Sequence, residues 1–267
     1  MTWGIVLLVI GGLFGVNAEL YAFTTVPPQE YGKVVIKNYS EHAGLAPVVF
    51  NHWLHRARFT CRLCHVDVGF AMEAGGTKIK AETNEKGFYC GSCHNGIFVF
   101  EDKKVFAACS TKSVDAKDQR CDRCHSFGKK VKMAYDFSTF TDGLPKKGLG
   151  NGIDWEAAEE KGLLHLVDFL PGISVKRKAL KPQEDFVIKA RGWISADIIF
   201  SHKKHAKWNG CEVCHPEIFP SVKKGDAQYT MFDIARGEYR GLCHLNVAFP
   251  IYDCQRCHVK QVRSFGR

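Results

Sequence analysis

Cys61-Arg62-Leu63-Cys64-His65 is a Cys-x-x-Cys-His pentapeptide, and it returns as Cys90-Gly91-Ser92-Cys93-His94, Cys121-Asp122-Arg123-Cys124-His125, Cys211-Glu212-Val213-Cys214-His215 and Cys254-Gln255-Arg256-Cys257-His258. The pattern is an attachment signature for c-type haem: two thiols add to the haem vinyl groups and the adjoining His reaches the iron. Five copies use ten of the twelve Cys and five of the twelve His. Zinc sites also use Cys-x-x-Cys pairs, but they do not demand a His directly after the second Cys each time. Disulfides across a two-residue gap make small strained loops and do not form a recurring framework.

The chain has 267 residues, room for two ordinary domains. Apolar segments are short and aperiodic, which predicts a core filled largely by porphyrin, with haem as the buried apolar mass. The formal charge of +9 would by itself suggest an acidic partner. Haem propionates are the simpler partners for these Lys and Arg side chains: five or six haems add about ten to twelve carboxylates. Nucleic-acid binding is therefore not expected. The N-terminus is apolar from Trp3 to Val16, shorter than the about 20 residues of a membrane-spanning helix. With Val16-Asn17-Ala18 after it, it reads as a signal peptide cleaved after Ala18; the alternative is a retained membrane anchor. No Lys or Arg precedes the run.

An internal duplication organises the rest. Phe50-Asn51-His52-Trp53-Leu54-His55 precedes Cys61 as Phe200-Ser201-His202-Lys203-Lys204-His205 precedes Cys211, 150 positions on. The same offset relates Gly87 to Gly237, Tyr89 to Tyr239, Gly91 to Gly241, Cys93 to Cys243 and His94 to His244. It fails at Cys90, which becomes Arg240. Arg240-Gly241-Leu242-Cys243-His244 is thus a motif without its first thiol: either a decayed site, or a haem held by one thioether through Cys243 with His244 on the iron. The second and third motif His are 31 residues apart in the first copy (His94, His125) and 14 in the second (His244, His258), so the first carries 17 extra residues. These are placed within Asp102–Arg120, a loop with the odd Cys109, read as a free or buried thiol. Between the copies lies a Cys-free stretch. It holds a turn-rich part, Asp142–Gly148, a short helix predicted to start at N-cap Asp154, and the basic run Lys176-Arg177-Lys178, read as solvated or propionate-facing. Val34-Val35-Ile36 is a brief strand signal.

The histidines balance. Six follow motifs: His65, His94, His125, His215, His244 and His258. Six remain: His42, His52, His55, His165, His202 and His205. Six haems with two His each would use them all, which favours an occupied Cys243–His244 site. Met72 and Met231 are the competing sixth ligands, though a stray Met is more often packing. On a helix, the His pairs three apart share one face, so one short element can serve two neighbouring irons.

These elements and their downstream motifs resemble the class III multihaem cytochromes, specifically the trihaem, cytochrome c7-type domains. The resemblance covers 47–128 and 191–267. It implies that the first His of each pair binds the haem of the next motif, His52 with His65 and His202 with His215, while His55 and His205 serve another haem of their own domain. Arg240, the insertion with Cys109, and the lack of any His between His65 and Cys90 depart from the pattern. The third distal ligand of each domain stays unassigned, with His42 and His165 as candidates.

The expected fold is mostly irregular and α, with few short strands, cored by haem and built from two tandem trihaem domains. On this reading the chain divides into 1–18 (signal peptide or anchor), 19–46 (N-terminal extension), 47–128 (first trihaem domain), 129–190 (linker) and 191–267 (second trihaem domain with one degenerate motif). The cofactor is haem c, six copies, attached through Cys61, Cys64, Cys90, Cys93, Cys121, Cys124, Cys211, Cys214, Cys243, Cys254 and Cys257. The expected function is electron transfer by bis-His haems outside the cytoplasmic membrane, periplasmic or extracellular, to other redox proteins. One alternative is a subunit of an extracellular cytochrome filament, with the Cys61 and Cys254 haems near opposite ends. Another is a reductase with an open iron at Cys243–His244. With every iron closed by two ligands, the protein is not expected to be an enzyme.

Overall fold

The two motif-bearing copies build the same backbone twice in the computed structural model, which describes residues 26–109, 121–129, 132–179, 181, 183–190, 196–223 and 225–260. The apolar run before Ala18 and most of the insertion lie outside them. β-Branched Val34, Val35 and Ile36 form β1 (Lys33–Ile36), antiparallel to β2 (Val48–Asn51), with Val35 opposite Val49. α1 (His52–Arg56) starts directly after β2, so the strand fixes where its two His begin. A helix, α2 (Ala81–Glu85), and a small pair, β3 (Val99–Phe100) with β4 (Lys103–Lys104), complete the first copy.

The segment between the copies holds α3 (Phe137–Thr141) and α4 (Trp155–Glu160). Asp154 caps α4 as predicted, its Oδ1 accepting from the Ala157 N–H at 3.2 Å. The second copy repeats the order. β5 (Phe186–Ile188) pairs with β6 (Asp197–Phe200), Phe186 opposite Phe200, and α5 (His202–Asn209) follows. Then come α6 (Met231–Ala235), α7 (Gly241–His244), α8 (Cys254–Cys257) and β7 (His258–Lys260), which adds to β6. Most of the backbone is irregular, with short helices and strands, as expected.

The packing between the copies departs from expectation. The segment read as a linker carries a protein core of its own. Trp155 and Ala158, three apart on α4, bury one face against Trp53 and Ala57 from the first copy, with Ile153 and Leu164. Phe137, Phe140 and Leu144 pack around it, as does Trp208 from α5 of the second copy. Ala158 has no exposed surface. Charges reinforce the contact: Glu156 pairs with Lys204, and Glu159 with Lys207 at 2.6 Å. Arg177 corrects the reading of its basic run as solvated or propionate-facing. Its guanidinium clamps Asp67 of the first copy at 2.7 Å and Glu212 of the second at 2.7 Å. Tyr31 of the N-terminal extension donates to the Ala248 carbonyl at 2.5 Å, tying that segment to the second copy.

Trp155→Ala removes the side chain that both copies pack around. The expected loss is about 3–5 kcal/mol of unfolding free energy, read by denaturant unfolding followed with far-UV circular dichroism. A loss under about 1 kcal/mol contradicts a core in this segment.

Candidate haem centres

Each motif folds as a helical turn, the first running on into a π-turn over Leu63–Asp67. The His N–H donates back to the carbonyl of the first motif residue: His94 to Cys90 at 2.8 Å, His125 to Cys121 at 2.8 Å, His215 to Cys211 at 3.0 Å and His244 to Arg240 at 2.9 Å. Positions 1, 4 and 5 of a helical turn share a face, so both thiols and the imidazole point to one side. The degenerate motif keeps this turn with Arg240 in the place of the lost thiol. Tight packing enforces it in both copies: a Cβ on Gly91 would overlap the Asn84 carbonyl, and one on Gly241 the Ile234 carbonyl. Tyr89 and Tyr239 share the same φ of 50°.

The distal His face the motif His in pairs. The His52 and His65 ring centres are 6.4 Å apart with planes 5° from parallel. His55 faces His94 at 6.3 Å and 55°, and His205 faces His244 at 6.2 Å and 54°. His202 lies close enough to His215 for the second imidazole to lower its proton affinity, after burial. Two imidazoles bound on opposite sides of one metal, each nitrogen about 2 Å from it, have ring centres about 6 Å apart. The spacings fit an iron between each pair.

Ring orientation is fixed from behind. Nδ1 donates to a backbone carbonyl in His52 (Gly32, 3.2 Å), His55 (Asn51, 3.2 Å), His65 (Phe70, 3.0 Å), His205 (Ser201, 2.8 Å), His215 (Phe219, 2.6 Å) and His244 (Phe249, 2.9 Å). The third motif His do the same: His125 to Ala46 and His258 to Ala196, both at 2.6 Å. Ala46 and Ala196 are again 150 apart. A proton held on Nδ1 leaves the Nε2 lone pair for a metal. Burial, then neighbouring imidazoles, lowers His52 and His94 from 6.5 to about 4, and burial, His205, Arg240 and Arg56 do the same for His244.

A scan against family models decides the identity: a model described as cytochrome c7 and related cytochrome c matches residues 48–126 and 198–262. The chain belongs to that family. This cytochrome is also similar to a solved c7-type three-haem cytochrome domain, 35% identical over 30% of this chain and 99% of that one, TM-score 0.27. The C-terminal hexahaem fragment of GSU1996 is 24% identical over 86% of this chain and 98% of its own, TM-score 0.25. The N-terminal hexahaem fragment of GSU1996 is 22% identical over 85% and 98%, TM-score 0.25. No curated protein matches. The protein is a multihaem c-type cytochrome that transfers electrons through haem c. Bound haem supplies a one-electron iron couple; the chain attaches, orients and buries it.

The thiols show how the sites of this cytochrome adjoin. Burial pushes the Cys64 thiol up to about 12, with Cys93, Cys61 and Cys90 adding to it. Cys90 is also pushed to about 12, with Cys124 and Cys109 near it. Cys243 reaches about 12, and its neighbours are Cys61 and Cys214. Cys61 therefore sits at the junction of the copies beside two second-copy motifs. This corrects its expected place at one end of the molecule. Cys109 lies with the second and third motifs of the first copy, its Sγ 3.6 Å from Asn84 Nδ2. His42 and His165 face no other imidazole among the described residues. The chain does place His42 four residues from Ala46, the carbonyl that holds His125. No helix among the described residues is long and apolar enough to cross a membrane.

Arg56, which belongs to no motif, and Arg240 both bear on the Cys243–His244 site. Arg56 lies between the Trp155 and Trp208 rings (5.4 and 5.1 Å to the centroids) and donates to the Val247 carbonyl at 2.8 Å. The 150-residue comparison held the signal, since Arg56 aligns with Ala206 and Arg240 with Cys90.

Two tests follow from this geometry. The parallel His52/His65 pair gives a rhombic low-spin ferric EPR signal, while the steeper pairs give larger maximal g values. One common g-tensor for all centres contradicts the arrangement. On acidification, the unfolded chain takes up protons near 6.5 while His52, His94 and His244 stay neutral down to about 4. Their contribution to stability is present above 6.5 and is lost as pH falls through 4. The low-spin spectrum is therefore expected to persist as pH falls through 6.5; its loss near pH 6.5 overturns this.

Proposed function

We propose that this cytochrome holds six haems, each closed by two His, and relays electrons between redox proteins outside the cytoplasmic membrane. One observation carries the count: His205 and His244 face each other at 6.2 Å and 54°, against 6.3 Å and 55° for His55 and His94 at the intact equivalent. A site that had lost its haem would have no reason to keep that spacing. Cys243 supplies the single thioether. Residues 47–128 and 191–267 form the two trihaem units.

His42 and His165 complete the remaining two irons. His42 belongs to the segment that anchors His125. His165 follows α4, whose Glu156 is 3.7 Å from Arg256 of the last motif. With all six irons closed, no open position remains for substrate, so the protein acts as a carrier and not an enzyme. Thioether attachment takes place outside the cytoplasmic membrane, which makes export and a periplasmic or extracellular location the consistent setting. Other cytochromes are the natural partners. Six His for six irons within one chain leave no ligand to be borrowed from a second copy, so a discrete relay is favoured over a filament subunit.

Intact mass of the mature protein tests the count, with six haem increments expected and five overturning it. Exposure of the reduced protein to carbon monoxide tests closure. The wild type binds none, and His205→Ala binds one equivalent by opening a single iron. Carbon monoxide binding by the wild type would overturn the carrier reading.

A further inference from the structure

We infer that the haem at Cys243–His244 is the electron well of the chain, created by two half-buried guanidinium groups, Arg240 and Arg56. This rests on the six-haem reading above and adds a role for the degenerate site.

Arg240 stands where the first thiol is missing. Its Cζ lies 4.7 Å from the Phe200 ring centroid and 5.3 Å from that of Tyr229. Phe200 in turn stacks on His205 at 4.4 Å and 29°. A column therefore runs from guanidinium to phenyl ring to distal His to the site facing His244. Arg240 Nε is buried with no hydrogen-bond partner, and no carboxylate pairs with the side chain among the described residues. Arginine keeps its charge when buried. Both guanidinium groups act on His244, and both oppose its protonation.

Arg56 approaches from the first copy. Among the described residues it too has no carboxylate partner. It is held by the Trp155 and Trp208 faces and by the Val247 carbonyl. Val247 and Ala248 both donate to the Cys243 carbonyl, at 3.0 and 2.8 Å, so the clamp on Arg56 is the turn that carries Cys243. One carboxylate faces the site from β5's side: Asp185, tied to Ser201 Oγ and the Lys203 N–H. The equivalent His55/His94 site also has two, Arg123 acting on His94 and Arg58 on His55, but there Arg58 is ion-paired with Glu101 at 3.9 Å. Among the chain's own groups, two cations against one carboxylate favour the reduced, less positive iron. A unit charge at close range in a partly dry site changes the balance by about tenfold or more. The vinyl group left unattached withdraws electrons and acts in the same direction. The well lies beside Cys61 and Cys214, where electrons from either copy meet.

Arg240 is a positioning residue for charge, so its test reads potential. Wild type, Arg240→Gln and Arg240→Lys are prepared haem-loaded and counted by intact mass. Each is then titrated potentiometrically with EPR following the individual ferric signals. In the wild type, the first ferric signal to vanish on reduction is a steep-angle one. In Arg240→Gln the oxidised-to-reduced ratio of that centre at fixed potential rises about tenfold, equal to 59 mV for one electron. Arg240→Lys stays near wild type. Five haems in the wild type overturns the occupancy on which the well depends. Six haems with the parallel-plane signal vanishing first, an unmoved Arg240→Gln titration, or Arg240→Lys moving as far as Arg240→Gln overturns the well alone.

Discussion

The architecture depends on pairs of imidazoles held face to face across a gap of one metal ion. Each pair joins a motif His, set by a helical turn, to a His on a different element, set by the strand before it. Chain segments far apart in sequence are thereby bound at a shared point. Coordination and thioether bonds do for this protein what an extended apolar core does elsewhere. This is why helices of four to eight residues, too short to persist alone, suffice to place the ligands.

The paired spacing also accounts for the duplication. α1 and α5 each present two His three apart, and each sends them to different partners: His52 to His65 and His55 to His94, then His202 towards His215 and His205 to His244. On the proposed assignment one short helix serves two irons, which brings the irons close. Close irons are what electron transfer over many steps requires.

Much of this was legible because haem attachment demands fixed residues at fixed spacing. The motifs, the 150-residue offset, the His pairs on helices and the Asp154 cap could all be read locally. The interface between the copies could not. Trp53, Trp155 and Trp208 are scattered over more than 150 positions and show no common periodicity, so their shared core appears only when the chain folds. Arg177 sits in a run of basic residues that looks solvated; its partners Asp67 and Glu212 belong to different copies. Cys61 seemed terminal because it comes first in sequence, yet Arg56, Tyr31 and the Arg177 clamp turn its side of the first copy onto the second. The degenerate motif was legible as a missing thiol, but the geometry that keeps its His paired was not.

That site carries the central claim, and iron itself reports on it most directly. An anomalous-difference map recorded at the iron edge from crystals of the haem-loaded protein should show six peaks per chain, one midway between His205 and His244. Five peaks with none between those two rings would contradict the account.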